Sequence, residues 1–293
     1  GYPNPDRSHF RSMEIWHTAS DSDTYATHGW LGRYFDNYCN GRAPQVGLAV
    51  DRERPQAFDG AHGFGIATDN PAGFGWEPGP TNATAQQFAA LNDAHAAAHH
   101  DTLDFLRLTT THALDSAAAV RAAAERGAVD RQRMPQRGMN QLQVVAGLIR
   151  GGLDTRIYYV STGGFDTHAN QAGQHDNLLE NVGEALAEFQ TTLRRDGTAD
   201  RVTTLVFSEF GRRVAENGSG GTDHGTAAPM FLLGDSVRPG LHGATPSLET
   251  LDDGDLIHTV DFRAVYSRVL ADWLGADPAP VLGRDYGGPA LFA

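Results

Sequence analysis

Apolar residues recur along this chain with two different periods, and the change of period marks out its elements. Over residues 175–195, Leu178, Val182, Leu186, Phe189 and Leu193 fall three or four apart, which predicts an amphipathic helix with one buried face. Two short β-branched runs, 156–161 and 202–207, are continuous rather than alternating, the pattern of strands covered on both faces. Residues 229–233 form a third short apolar run. Further helices are predicted at 11–19, where Ser8 suits the N-cap and Met13, Ile15 and Trp16 point inward, and at 142–150, which stops at Gly151-Gly152. A last one covers 261–274 and ends at Gly275.

Residues 20–140 interrupt this alternation. Up to about position 80 they are rich in Gly, Pro, Asn and Asp, with one strand-like run at 46–50, and over 83–127 they turn alanine-rich and helical. The order of elements predicts one α/β domain over 1–293, a mostly parallel sheet with helices on both faces, in which 20–140 is a loop-rich and helical insertion.

Composition narrows the partners. The chain has 293 residues and a net charge of −13, and all of its Lys+Arg total is arginine. An acidic chain without basic clusters argues against nucleic acid or an anionic membrane as a partner. No apolar run approaches the ~18 residues that span a bilayer. Cys39 is the single cysteine, which excludes an internal disulfide and a cysteine-based zinc knuckle, and nothing near it in sequence would activate the thiol.

Three patches carry candidate chemistry. They are Gly163-Gly-Phe-Asp166-Thr-His168, Ser208-Glu209-Phe-Gly-Arg212 and Thr222-Asp223-His224-Gly225. The first two directly follow strand-like runs, so Asp166, His168 and Glu209 are carried to the carboxyl ends of strands, where open α/β sheets bind ligands. Asp223 and His224 lie in a loop too glycine-rich to serve packing. Oxygen and imidazole donors without cysteine suit zinc, manganese, magnesium or calcium and do not choose among them. Taken singly, Asp166 also fits a turn cap, and Glu209 a salt bridge to Arg212. Ser8, between Arg7 and His9, reads as a helix N-cap or as an anion-binding hydroxyl at a helix N-terminus. His95 and His99 are four apart with no glutamate between them, the pattern of a solvated helix face.

These patches, with Arg7-Ser-His-Phe10 near the start and Thr259-Val-Asp261-Phe-Arg263-Ala-Val-Tyr266 near the end, resemble the domain of unknown function 1501 family, which belongs to the alkaline phosphatase and sulfatase superfamily. The likeness covers roughly residues 1–20 and 140–283. It implies an alkaline phosphatase-like α/β fold and a divalent metal site, in a protein exported by the twin-arginine route to the periplasm or cell exterior. The implied reaction is hydrolysis of a phosphate or sulfate ester of a small molecule or glycan by a hydroxyl nucleophile at a helix N-terminus. Ser8 matches the nucleophile by order and context, with Arg7 or Arg212 steadying the anion, and Asp166, His168, Glu209, Asp223 and His224 match the metal side.

The sequence departs from the superfamily pattern in two places. Glu209-Phe210 stands where an Asp-His pair would end the strand, so His224 resembles the later histidine before the next strand. The strand and Gly-Gly-x-Asp loop with which family members begin would precede Gly1, and the expectation is that a segment before Gly1 supplies them. The alternative of a different class is a catalytically silent structural or carbohydrate-binding protein of the cell surface with the same fold.

Overall fold

In the computed structural model, residues 1–62, 65–75, 101–129 and 140–293 are described, along with positions 84, 86–88 and 90. His95 and His99 lie outside the described residues. Seven helices can be named among them: α1 (His9–Thr18), α2 (Trp30–Tyr38), α3 (Asp101–Arg126), α4 (Asn140–Arg150), α5 (Gln171–Arg195), α6 (Phe262–Arg268) and α7 (Ala279–Leu282). Strands β1 (Gly47–Ala49), β2 (Ile66–Ala67) and β3 (Ile157–Tyr159) form a parallel sheet in the order β2-β1-β3.

Successive side chains of a strand point to opposite faces, and here each face meets its own core. Ala49, Ile157 and Tyr159 join a cluster built from α1, α2 and α6, with Ile15, Trp16, Trp30, Phe35, Phe262 and Tyr266 at its centre. Leu48, Val50 and Tyr158 join a second cluster with Val120 of α3, Leu142, Val145 and Leu148 of α4, and Phe189 and Leu193 of α5. Helices therefore cover the three-stranded sheet on both sides.

The 202–207 run is a strand over β4 (Thr204–Val206) and pairs antiparallel with β5 (Phe231–Leu233). The reason lies in the connection. Parallel neighbours need a crossover of a dozen or more residues, usually a helix, and residues 207–230 contain none, only the glycine-rich loop that returns the chain directly. A two-residue hairpin follows: β6 (Leu251–Asp252) and β7 (Asp255–Leu256). Asp253 and Gly254 join them with φ of 50° and 82°, and the positive φ at both positions matches the twist that hairpins favour.

Helix α5 starts four residues earlier than its apolar stripe predicts, and its burial is uneven. Phe189 and Leu193 are buried, whereas Leu178, Val182 and Leu186 are half-buried. The carboxyl-terminal half is thus the anchor. Phe189→Ala is expected to cost about 3–5 kcal/mol in reversible urea unfolding and Leu186→Ala clearly less. Equal losses at the two positions would contradict this reading of the helix.

Candidate metal centre

Three elements deliver side chains to one cleft. Helix α1 is fixed by Ile15 and by Trp16, whose ring stacks on Phe207 at 5.2 Å and on Phe262 at 4.2 Å, so its first residue, His9, is held beside the end of β4. Chain leaving β4 supplies Glu209 and Phe210. The loop after β3 supplies Asp166 and His168, and the loop between β4 and β5 supplies His224.

Asp166 is the hub. Its Oδ1 lies 2.6 Å from His224 Nε2 and 3.2 Å from His9 Nε2. The ligating atoms of His9, Asp166 and His224 all fall within 4.8 Å of one another. Each histidine is held at its other nitrogen: His9 Nδ1 is 2.7 Å from Glu209 Oε1, and His224 Nδ1 is 2.9 Å from the carbonyl oxygen of Arg7. A carbonyl can only accept, so His224 Nδ1 carries a proton and donates it to Arg7 O. His9 lies between two carboxylates, Glu209 at Nδ1 and Asp166 at Nε2, and both of them favour its protonated form. Asp166 accepts from either Nε2 only when that nitrogen carries a proton, and a cation at the centre would take the place of those protons and meet both Nε2 lone pairs.

This donor set fits a divalent metal. Two imidazole nitrogens and a carboxylate, with each imidazole oriented by an outer oxygen, is the arrangement metal-binding histidines adopt. The contact with Glu209, followed by that with Asp166, raises the His9 pKa above its ordinary value. Hydrogen bonding to His224 is the first cause that lowers Asp166, with His9 adding to it. Phe210 forms the apolar wall, its ring 4.2 Å from His224 and 4.9 Å from His9.

The sequence-predicted residues separate into three groups. Asp166 and His224 sit in the triad. His168 stands beside it, with Nδ1 3.4 Å from Asp166 Oδ1 and its ring 4.7 Å from His224. Glu209, expected as a metal ligand, reaches the centre through the far nitrogen of His9, and its Oε2 accepts from Ser208 Oγ at 3.1 Å. Asp223 turns away: it is exposed, and its carboxylate accepts from Asn217 Nδ2 at 3.0 Å. Ser8 is exposed at the N-cap of α1, where its side chain makes no capping hydrogen bond.

Both arginines expected to steady an anion are engaged by the protein itself. Arg212 donates to Thr222 O at 2.7 Å and to Phe165 O at 2.6 Å, and its Nη2 lies 3.9 Å from Asp166 Oδ1. Burial pushes its pKa down while Asp166 opposes the shift. Arg7 is bonded to the buried Asp255, with Asp253 3.7 Å away, and the Asp255 hydrogen bond raises its pKa.

The loop between β4 and β5 is closed on itself and tied to the segment after β3, where Asn170 N donates to Ser219 O and Gln171 N to Gly220 O, each at 3.0 Å. Arg212 and His224 form a β-bridge. Asn217 Nδ2 donates to His168 O at 2.9 Å, and Gln171 Oε1 accepts from Thr222 Oγ1 at 2.9 Å. The glycines permit the approach: a Cβ on Gly221 would lie 2.4 Å from His168 O, and one on Gly211 only 1.8 Å from Ala227 O.

His9 is a candidate ligand that no motif marks, because Arg7-Ser-His-Phe10 points to Ser8 as the functional residue. Its signal was present, an imidazole one residue inside a helix start. Asp255 had a signal too, in the Asp253-Gly254 hairpin dipeptide.

Behind the cleft, His17 Nε2 lies 2.9 Å from the Tyr159 hydroxyl. Burial pushes His17 down to about 4 and Tyr159 up to about 12. With the folded pKa of His17 below its unfolded value of about 6.5, the unfolded chain binds the proton first. Stability is therefore expected to fall by roughly 3 kcal/mol as pH drops from about 6.5 to about 4. His17→Gln keeps a hydrogen-bonding group without the titration and should flatten that slope in urea unfolding at stepped pH. An unchanged slope would contradict the assignment.

No curated protein and no solved structure matches this chain significantly. A family model does match, that of the proteins of unknown function DUF1501, over residues 1–272. The chain therefore belongs to the domain of unknown function 1501 family.

Proposed function

We propose that this chain is a divalent-metal-dependent hydrolase of a phosphate or sulfate ester borne by a small molecule or glycan, on an alkaline phosphatase-like scaffold in an exported protein. The observation that carries the reading is the triad of His9, Asp166 and His224, with Glu209 and Arg7 O on the far nitrogens of the two imidazoles. When bound, a divalent metal supplies Lewis-acid polarisation of the ester oxygen and a more acidic bound hydroxyl or water. His9 and His224 present Nε2 and Asp166 presents Oδ1. Glu209 fixes the tautomer of His9, and Phe210 keeps water off one side of the imidazoles.

Ser8 is the proposed nucleophile, exposed and directly before His9. Its oxygen would bond to the phosphorus or sulfur as the ester C–O oxygen leaves and takes up a proton, and water would then release the anion from Ser8. The metal-stapled structural alternative calls for a centre closed by protein ligands. Asp166, with 53% of its side chain exposed, leaves this one open to solvent and so favours catalysis. Among the described residues no helix is long and apolar enough to cross a membrane.

The test is turnover of aryl and saccharide phosphates and sulfates by chain loaded with zinc, manganese, magnesium or calcium in turn. Metal-dependent turnover lost on chelation, and lost again in Ser8→Ala with metal still bound, is expected. Metal-loaded chain inert toward all of these esters would turn the reading to the silent protein, and full turnover by Ser8→Ala would remove the nucleophile role.

A further inference from the structure

Asp255 is an ionisable residue where none is needed for packing. Its side chain is 1% exposed, in a strand of two residues, and it is met by arginines from two directions. Arg7 donates to its Oδ2. Oδ1 has no hydrogen-bond partner among the described residues and faces Arg213 Nε at 3.5 Å. A hydrophobic side chain of similar size would commonly serve such a position at no loss of stability, so a buried ion pair here calls for another explanation.

Both arginines lead to the imidazoles of the metal triad. The carbonyl of Arg7 accepts from His224 Nδ1 at 2.9 Å, and His9 follows two residues later on the same chain segment. Arg213 N donates to Asp223 O at 3.0 Å, which fixes the backbone one residue before His224. The hairpin is itself fastened to the same loop, since Thr226 Oγ1 donates to Leu256 O at 2.8 Å and Arg213 donates to Asp253 O. Asp255 is therefore the common anchor of two segments remote in sequence that each carry one of the histidines.

We infer that Asp255 is a positioning residue of the metal centre. Through Arg7 and Arg213 it sets the Arg7 carbonyl against His224 Nδ1, and so fixes which His224 nitrogen is offered to a cation. The inference rests on the proposed metal site for its functional meaning, but the orientation of His224 is a property of the metal-free chain.

The experiment uses Asp255→Asn in the full chain. In metal-free protein, nitrogen-15 NMR of the His224 ring reads whether Nδ1 keeps its proton and its hydrogen bond. Loss of the single protonated-Nδ1 signature is expected, together with a zinc affinity about 10–100-fold lower by competition with a chelating dye, the range for outer partners of metal-binding histidines. An unchanged His224 signature would overturn the inference. An altered signature in Asp255→Asn, with no zinc bound by the unsubstituted chain, would leave Asp255 in its role and remove the metal reading instead. Arg213→Gln removes one of the two arms at a side chain already 32% exposed, and should shift the same resonance if Asp255→Asn does not fold. Its failure to shift it would count equally against the inference.

Discussion

Replacing Asp166 with asparagine is expected to lower divalent-metal affinity by more than the 10–100-fold typical of an outer-shell loss, and ester turnover with it, because this single oxygen faces both histidines. The fold should survive. Asp166 is about half exposed, and a partly solvated ion pair contributes at most about 1 kcal/mol. Titration calorimetry with zinc, beside urea unfolding of the metal-free chain, separates the two effects. A variant that binds metal normally would show that the three side chains meet for another reason.

Arg212→Lys is the second large effect. The guanidinium fork bonds two carbonyls at once, Phe165 O immediately before Asp166 and Thr222 O two residues before His224. A lysine ammonium is a point donor and cannot reproduce that fork. Zinc affinity should fall about 10–100-fold, since the two ligand loops lose their shared tie. Stability should fall by about 2–3 kcal/mol through one unmade hydrogen bond to a charged donor. Full metal affinity in Arg212→Lys would mean that the bridge between Arg212 and His224 and the Asn217 contacts hold the loops without it.

How much of this was legible in the sequence depended on how local the cause was. Helix α5 could be read because its apolar stripe repeats every turn, and Asp166 and Glu209 could be placed because each lies a few residues past the end of an apolar run. The antiparallel pairing of β4 and β5 was harder to read, since strands of three residues carry no register signal and only the missing crossover helix decides their direction. His9 meets Glu209 200 residues away in sequence, and no local pattern encodes such a meeting. The same distance hid the division of labour between Asp166, which faces two imidazoles, and Glu209, which orients one of them. Asp255 lies beyond the motif-bearing loops, and only the packing of its hairpin against Arg7 and Arg213 gives it a task.

Anomalous diffraction at the zinc edge, from crystals of the chain grown with zinc, tests the metal centre most directly. The account predicts one peak bonded at about 2.0–2.2 Å by His9 Nε2, His224 Nε2 and Asp166 Oδ1, with Glu209 on His9 Nδ1 and the Arg7 carbonyl on His224 Nδ1. A peak bonded by Asp223, or none at this triad at saturating zinc, would contradict it.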